Sequence, residues 1–463
     1  MSWRHQTRTA TDDYLPGAWG GAARDWGLVK DLLFVNAAQV VTCAGAPRAR
    51  KGAEMRDAGI LKKTAVAASN GRIAAIGAAR DLQAAYSGAE IVDCRGGVLT
   101  PGLVDSHTHA VFGKPRFEEH ELRAQGFDYM EIAKQGGGIH ASVRDFRGRS
   151  EEQLVELAVP RVQELMSYGT TTIEIKSGYG LTIDDELKAL RVIGRLANRF
   201  PARILATWLG AHEIPQEYSS SEGQRGEFVD LLINEMLPKV VEQGIASFAD
   251  VFCEPGVFTI EETRRILEAA RRVGLRIKLH ADELKPSGGA ELAASLGAVS
   301  ADHLAAISEK GIAALAKSDT VATLLPGTML FLGKAKQAPS RALIDAGAAV
   351  ALATDFNPGT SPTVNFPLML TLGISQLRMT LAEALTAATV NGAAALGLAG
   401  ETGQIAPGFA ADLSLFAIDD VRELPYWYGA RLCVGSWKAG APCHPYETGS
   451  KLNAHSPEIL LPG

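Results

Sequence analysis

Between residues 101 and 397 the chain alternates short apolar runs with longer segments whose apolar residues recur every three or four positions. The first pattern predicts strands and the second predicts helices. Strands are expected at Leu103–Asp105, Thr171–Lys176, Arg203–Leu209, Phe248–Cys253, Arg276–Leu279, Ala298–Ala301, Val321–Leu325 and Ala348–Ala353. Helices such as Ser150–Tyr168 and Thr259–Val273 separate most of them. This alternation fits an α/β fold, a TIM (β/α)8 barrel with insertions. A doubly wound sheet is the alternative, but it does not gather the ends of strands one, five and eight at one point.

The flanks lose the helical period. Asp31–Thr42, Thr64–Ile76 (broken by Asn70-Gly71) and Glu90–Cys94 read as short strands, and Asn-Gly between apolar runs signals a hairpin. Arg48–Gly59 is charged and is expected to be a loop. Beyond Leu398, the turn-rich stretch Gly403–Gly408 precedes strand candidates Asp412–Phe416 and Leu432–Lys438. Each flank is too small to bury a good core alone. They are expected to pair as a small β-sandwich domain, 31–100 giving one half and 398–463 the other, with 1–30 as an N-terminal extension.

Composition narrows the function. Hydrophobic residues at 46% and charged residues at 21% are those of a soluble globular chain. A net charge of -6 argues against nucleic acid as a partner, since such surfaces are basic. No apolar run is long enough to span a membrane. Met1–Lys30 lacks the apolar core of a secretory signal. Five cysteines at wide, unpatterned spacings make no disulfide framework, so a cytoplasmic home is expected.

The chemistry lies where the apolar strands stop. Strand one runs into Asp105, His107 and His109, strand five into His280-Ala281-Asp282-Glu283. Strand six ends in Asp302-His303, and strand eight in Thr354-Asp355-Phe356-Asn357-Pro358-Gly359. Residues i and i+2 of a strand share a face, so His107 and His109 project together, about 7 Å apart at Cα. Any one of these groups could be an ordinary satisfied polar residue. Together, at the C-terminal rim of one barrel, histidines and a carboxylate make an open metal shell with room for water.

Several stretches then resemble one family. VDSHTHAVFG, YMEIAKQGGGI, EIKSGYGL, GAHEIP, HADEL, SADHL, ATDFNPGTSPT and ELPYWYG resemble the amidohydrolase superfamily and, within it, the imidazolonepropionase family, from about Asp31 to Val434. His-x-His alone indicates only the superfamily; EIKSGYGL, SADHL and DFNPGTSP together point to the narrower family. The resemblance implies metal ligands at His107, His109, His280 and Asp355, and substrate contacts at Arg116, Tyr129, Tyr179, His212, Glu283, Asn357, Gly359 and Thr360. His303 matches the family's histidine near the reacting water. The implied reaction is hydrolysis of 4-imidazolone-5-propanoate to N-formimidoyl-L-glutamate, with one zinc or iron ion per chain and Glu283, His303 and Asp355 as catalytic groups. A homodimer is expected. Pro115 departs from the small or polar residue usual beside the arginine, although the spacing from His107 to Arg116 is kept.

An arginine fork suits the carboxylate tail of that substrate. Lys176 is a conceivable carboxylated bridge between two metals, but such lysines come from a different strand. Asp250 and Glu254 flank strand four without an assignable role, and Cys253 reads as a small buried hydrophobe. Two rivals remain: a nucleobase or aromatic-amine deaminase, which shares the metal set but has no need of Arg116, and a barrel scaffold that has lost its metal.

Overall fold

The apolar run from Val98 to Asp105 is two strands rather than one. In the computed structural model, which describes residues 30–127, 131–132, 136–219 and 221–446, Gly102 divides it. Val98–Pro101 joins a six-stranded sheet, whereas Leu103–Asp105 opens an eight-stranded parallel one. The division falls at a glycine for a steric reason: a Cβ there would lie 2.1 Å from Thr171 Oγ1.

The parallel sheet is a TIM barrel. Its strands are β1 (Leu103–Asp105), β2 (Thr170–Lys176), β3 (Arg203–Ala211), β4 (Ala246–Cys253), β5 (Arg276–Ala281), β6 (Ser300–His303), β7 (Val321–Leu324) and β8 (Val350–Leu352). They pair in chain order. β1 and β8 close the barrel just beyond their ends. Asp105 accepts from the Thr354 backbone N–H and hydroxyl at 3.1 and 2.6 Å. The Asp355 N–H donates to His107 O, and the His109 N–H to Phe356 O. The seam is therefore stitched through the residues expected to bind metal.

Strand parity sorts the barrel. Ile173 and Ile175 of β2, Ala249 and Val251 of β4, and Ile277 and Leu279 of β5 join the main apolar core with residues of the surrounding helices. Their alternate neighbours, Glu174, Lys176, Asp250 and Lys278, face one another within the barrel. Below them Val104, Leu205, Phe248 and Leu396 form a separate apolar cluster. The helices follow local rules. Glu151–Ser167 starts at the reciprocal Ser150–Gln153 capping box and buries Leu154, Val155, Ala158, Val162, Leu165 and Met166 at helical spacing; such a cap contributes about 1 kcal/mol. Ile260–Arg272 repeats the device with Thr259 and Glu262.

Both chain ends build the β-sandwich. One sheet has Leu32–Val35 between Ala65–Ser69 and Glu90–Asp93, with Arg72–Gly77 at its edge. The other places Leu413–Phe416 beside Val98–Pro101 and Cys433–Lys438. Phe34 and Trp437 meet edge to face at 4.9 Å in the core between them. Asn70 and Gly71 both have positive φ, the turn that the hairpin requires.

Two expectations need correction. Arg48–Gly59 is not all loop, since it holds a 3-10 helix at Gly52–Arg56 that leads into a short edge strand, Ile60–Leu61. Strand six begins at Ser300, not Ala298, because the left-handed Gly297 ends the preceding helix and the Ala298 N–H still bonds back to Ala293 O. No helix among the described residues is long and apolar enough to cross a membrane. The expected extension, apart from Lys30, and residues 447–463 lie outside the described residues.

Candidate metal centre

His107, His109, His280, His303 and Asp355 converge at the C-terminal mouth of the barrel. Two sets could each hold an ion, His107 with His109 and Asp355, and His107 with His280 and His303. His107 belongs to both. Nε2 of His107 and of His109 lie 3.5 and 3.6 Å from Asp355 Oδ1. Two ligands that share a tetrahedral zinc at about 2.0–2.2 Å sit about 3.4 Å apart, so the donors already have ligand spacing. His303, not counted among the implied ligands, stands beside them, its ring 5.2 Å from that of His280.

The donors are prepared for a cation. Burial holds His107 and His109 well below the usual histidine pKa, so both rings are neutral with a lone pair to give. His107 Nε2 and His280 Nε2 are buried without a hydrogen-bond partner. An unmet buried polar atom costs about 1–3 kcal/mol, which a shared ion would remove. The donor set fits a divalent metal. Asp355 turns Oδ1 to the histidines while Thr328 Oγ1 donates to its Oδ2 at 2.6 Å. Asp355 and His303 both take left-handed backbone, φ 51° and 78°, which aims their side chains into the mouth.

Behind the ligands stand groups without an assigned role in the sequence. His107 Nδ1 donates to Asp302 Oδ2 at 2.7 Å. His280 Nδ1 lies 3.0 Å from Asp250 Oδ2, a contact rather than an aligned hydrogen bond. Such carboxylates orient an imidazole and fix its tautomer. A signal was present: Asp250 is a charge inside a largely apolar strand, and Asp302 stands where the apolar run of strand six stops. Lys176 is pinned at 2.7 Å from Glu174 Oε1 and 2.8 Å from Asp250 Oδ2.

Around the mouth, Tyr179 and His212 stand beside the centre, with the His212 ring stacked on His109 at 5.1 Å. Tyr179 is buried within the main apolar cluster. Glu186 holds this loop by accepting from the N–H groups of Gly178, Gly180 and Leu181. Gly178 O in turn accepts from His212 Nδ1 at 2.9 Å. Burial pushes His212 down to about 3. Glu283 Oε2 lies 3.6 Å from His303 Nδ1. Burial first, then Asp355 and Glu254, hold Glu283 well above the usual carboxyl range. The Asn357 side chain is spent within its own loop, accepting from the Gly359 and Thr360 N–H groups and donating to Asp355 O. Tyr129 lies outside the described residues.

Arg116 is buried beside this loop, with Nε and Nη1 lacking hydrogen-bond partners and Glu119 Oε2 3.7 Å from Nε. Its guanidinium rests on Gly359, where a Cβ would lie 1.3 Å from Nη2. Gly359→Ala should therefore dislodge Arg116 and reproduce the loss of catalytic efficiency caused by removing that arginine. Steady-state kinetics of the two variants side by side check this; a fully active Gly359→Ala would show the seat to be unimportant.

Comparison with known proteins places the chain. A sequence model described as the amidohydrolase family matches residues 98–442. Imidazolonepropionase of Symbiobacterium thermophilum is 46% identical over 89% of this chain and 96% of its own length. That of Geobacillus sp. (strain WCH70) is 47% identical over 87% and 95%. Among solved structures, an adenosine deaminase from Xanthomonas campestris shares the fold with a TM-score of 0.65 at 21% identity, over 89% of this chain and 92% of that one.

Proposed function

The chain belongs to the amidohydrolase family and, within it, to the imidazolonepropionases, and from that footing we propose that it hydrolyses the cyclic amide of 4-imidazolone-5-propanoate to N-formimidoyl-L-glutamate. The observation that carries the substrate is Arg116, a buried guanidinium with two unpartnered nitrogens beside the candidate metal ligands. Glu119 stands 3.7 Å away and balances the charge but leaves N–H donors of the fork unmet, and the propionate tail can accept from them.

His107, His109, His280 and Asp355 would hold one zinc or iron ion, since both metals accept these ligands. When bound, such an ion polarises a carbonyl and lowers the pKa of water from 15.7 toward roughly 7. The protein does the rest. Arg116 anchors the carboxylate, and Tyr179 and His212 wall the ring. Asp355 receives the proton of the attacking water as its oxygen adds to the ring carbonyl carbon. Glu283, whose carboxyl is biased toward the protonated form by its burial, delivers a proton to the leaving ring nitrogen as the carbon–nitrogen bond breaks. His303, kept neutral by burial, returns protons to Glu283.

The reading includes a small-molecule substrate, a cytoplasmic home and a homodimer. Five buried, unpaired cysteines support the reducing compartment. Exposed Tyr426 and Tyr428 offer apolar surface to a second copy. Adding purified protein to the imidazolone should open the ring; release of ammonia from an aromatic amine, with the imidazolone untouched, would instead favour a deaminase. Arg116→Gln should lower kcat/KM by about ten- to a hundredfold, from a charged hydrogen bond of ~1.5–3 kcal/mol. A ring analogue without the carboxylate should not distinguish mutant from wild type. Equal losses on both substrates would make Arg116 structural.

A further inference from the structure

Five charged side chains, Glu174, Lys176, Asp250, Lys278 and Asp302, lie wholly buried in the barrel beneath the metal centre. Buried charges persist only where they are paired, and their pairing has a direction. Lys176 Nζ lies 2.8 Å from Asp250 Oδ2 and 3.9 Å from Asp302 Oδ2. The same Asp302 oxygen receives the His107 Nδ1 hydrogen bond at 2.7 Å, and the same Asp250 oxygen stands 3.0 Å from His280 Nδ1. Asp250 Oδ1 also accepts from the His280 N–H at 3.2 Å. One ammonium therefore reaches both carboxylates that back the candidate ligands. The second cation has a different post: Lys278 donates to Ser106 O at 2.8 Å and stands 3.7 Å from Asp302 Oδ2.

We infer that Lys176 is a positioning residue for metal binding, acting through Asp250 and Asp302 to hold His280 and His107 in register. It touches no substrate. With its charge in place, the two aspartates lie close together in a dry interior and face outward to the imidazoles. Without it Asp250 loses its ammonium and keeps only the His280 N–H, Asp302 keeps Lys278 at 3.7 Å as its only cation, and the unbridged carboxylates repel and loosen their hold on the two histidines. The inference rests on the metal-centre reading above.

The test removes the cation without unbalancing the barrel. In Lys176→Met combined with Glu174→Gln, one positive and one negative charge leave together. Glu174→Gln alone keeps the ammonium on both aspartates, and Lys176→Gln leaves a neutral donor there. Zinc affinity is measured by chelator competition, and folding by cooperative thermal unfolding. Loss of an orienting partner typically costs ~10–100-fold in metal affinity. The double variant should fold and bind zinc at least about tenfold more weakly than wild type. Glu174→Gln should bind more tightly than the double variant. Wild-type affinity in a folded double variant or in Lys176→Gln overturns the inference. Failure of both Lys176 variants to fold even with zinc also overturns it, because Lys176 is then a brace of the barrel. A wild-type chain that binds no zinc overturns the metal-centre reading itself, a separate result.

Discussion

Stripping the ion with a chelator should cut turnover to below about a thousandth while the chain still unfolds in one cooperative step. The first half follows from water: without a cation its pKa returns to about 15.7, nearly nine units above the roughly 7 of a metal-bound water. The second half follows from how the emptied donors are held. The rings of His107, His109 and His303 are neutral by burial, so removal of the ion leaves no cluster of repelling imidazoliums. Asp355 keeps its bond from Thr328, and His107 keeps Asp302. An ion at a hundred times its dissociation constant adds only about 2.7 kcal/mol to stability. The unfolding midpoint should therefore fall by several degrees rather than collapse. Elemental analysis and melting curves of the same samples check both halves. Two tightly held ions per active chain would overturn the single-ion reading and return Lys176 as a bridging carbamate. Its surroundings oppose that: a carbamate there would be an anion facing Glu174, Asp250 and Asp302.

The sequence showed the barrel because parity and period are local. Each strand's outward apolar residues and each helix's buried stripe can be read within a dozen positions, and the His-x-His and Asp355 positions follow from where those runs stop. What escaped depends on distant partners. Ile60–Leu61 is short and exposed, with no apolar pattern to announce it. The start of β6 was hidden because Gly297 spends Ala298 on closing a helix. Asp250 was visible as a charge in an apolar strand and Asp302 as one at a strand end, but their tie to His280 and His107 crosses between strands and is set by register. The intraloop role of Asn357 also escaped, because the hydrogen bonds that close its turn are made only once the loop has folded.

Glu283→Gln and His303→Asn should each keep the metal and lose at least about a hundredfold in kcat. Glu283 follows ligand His280 by three residues, and the turn is fixed from behind by Glu254, which accepts from the N–H groups of Leu284 and Lys285 at 3.3 and 2.8 Å. Its carboxyl is thus delivered to His303, and burial biases it toward the protonated form. Glutamine preserves the shape and a donor but has no proton to give, so substrate should still bind and KM should change little. His303 Nδ1 is buried without a hydrogen-bond partner, free to exchange a proton with Glu283. The competing role for His303, as a ligand or as an orienting group, predicts a different pair of losses. A group that only orients costs ~10–100-fold and weakens metal binding as well, whereas a proton relay is worth ~10²–10⁴-fold in rate with the metal retained. Metal content, kcat and the pH–rate profile measured on one preparation separate the two. The acid limb should follow uptake by His303, and the alkaline limb, set by loss of the Glu283 proton, should vanish in Glu283→Gln. If either variant retains both its metal and near-wild-type kcat, that residue carries no proton, and Asp355 alone must serve as base and acid.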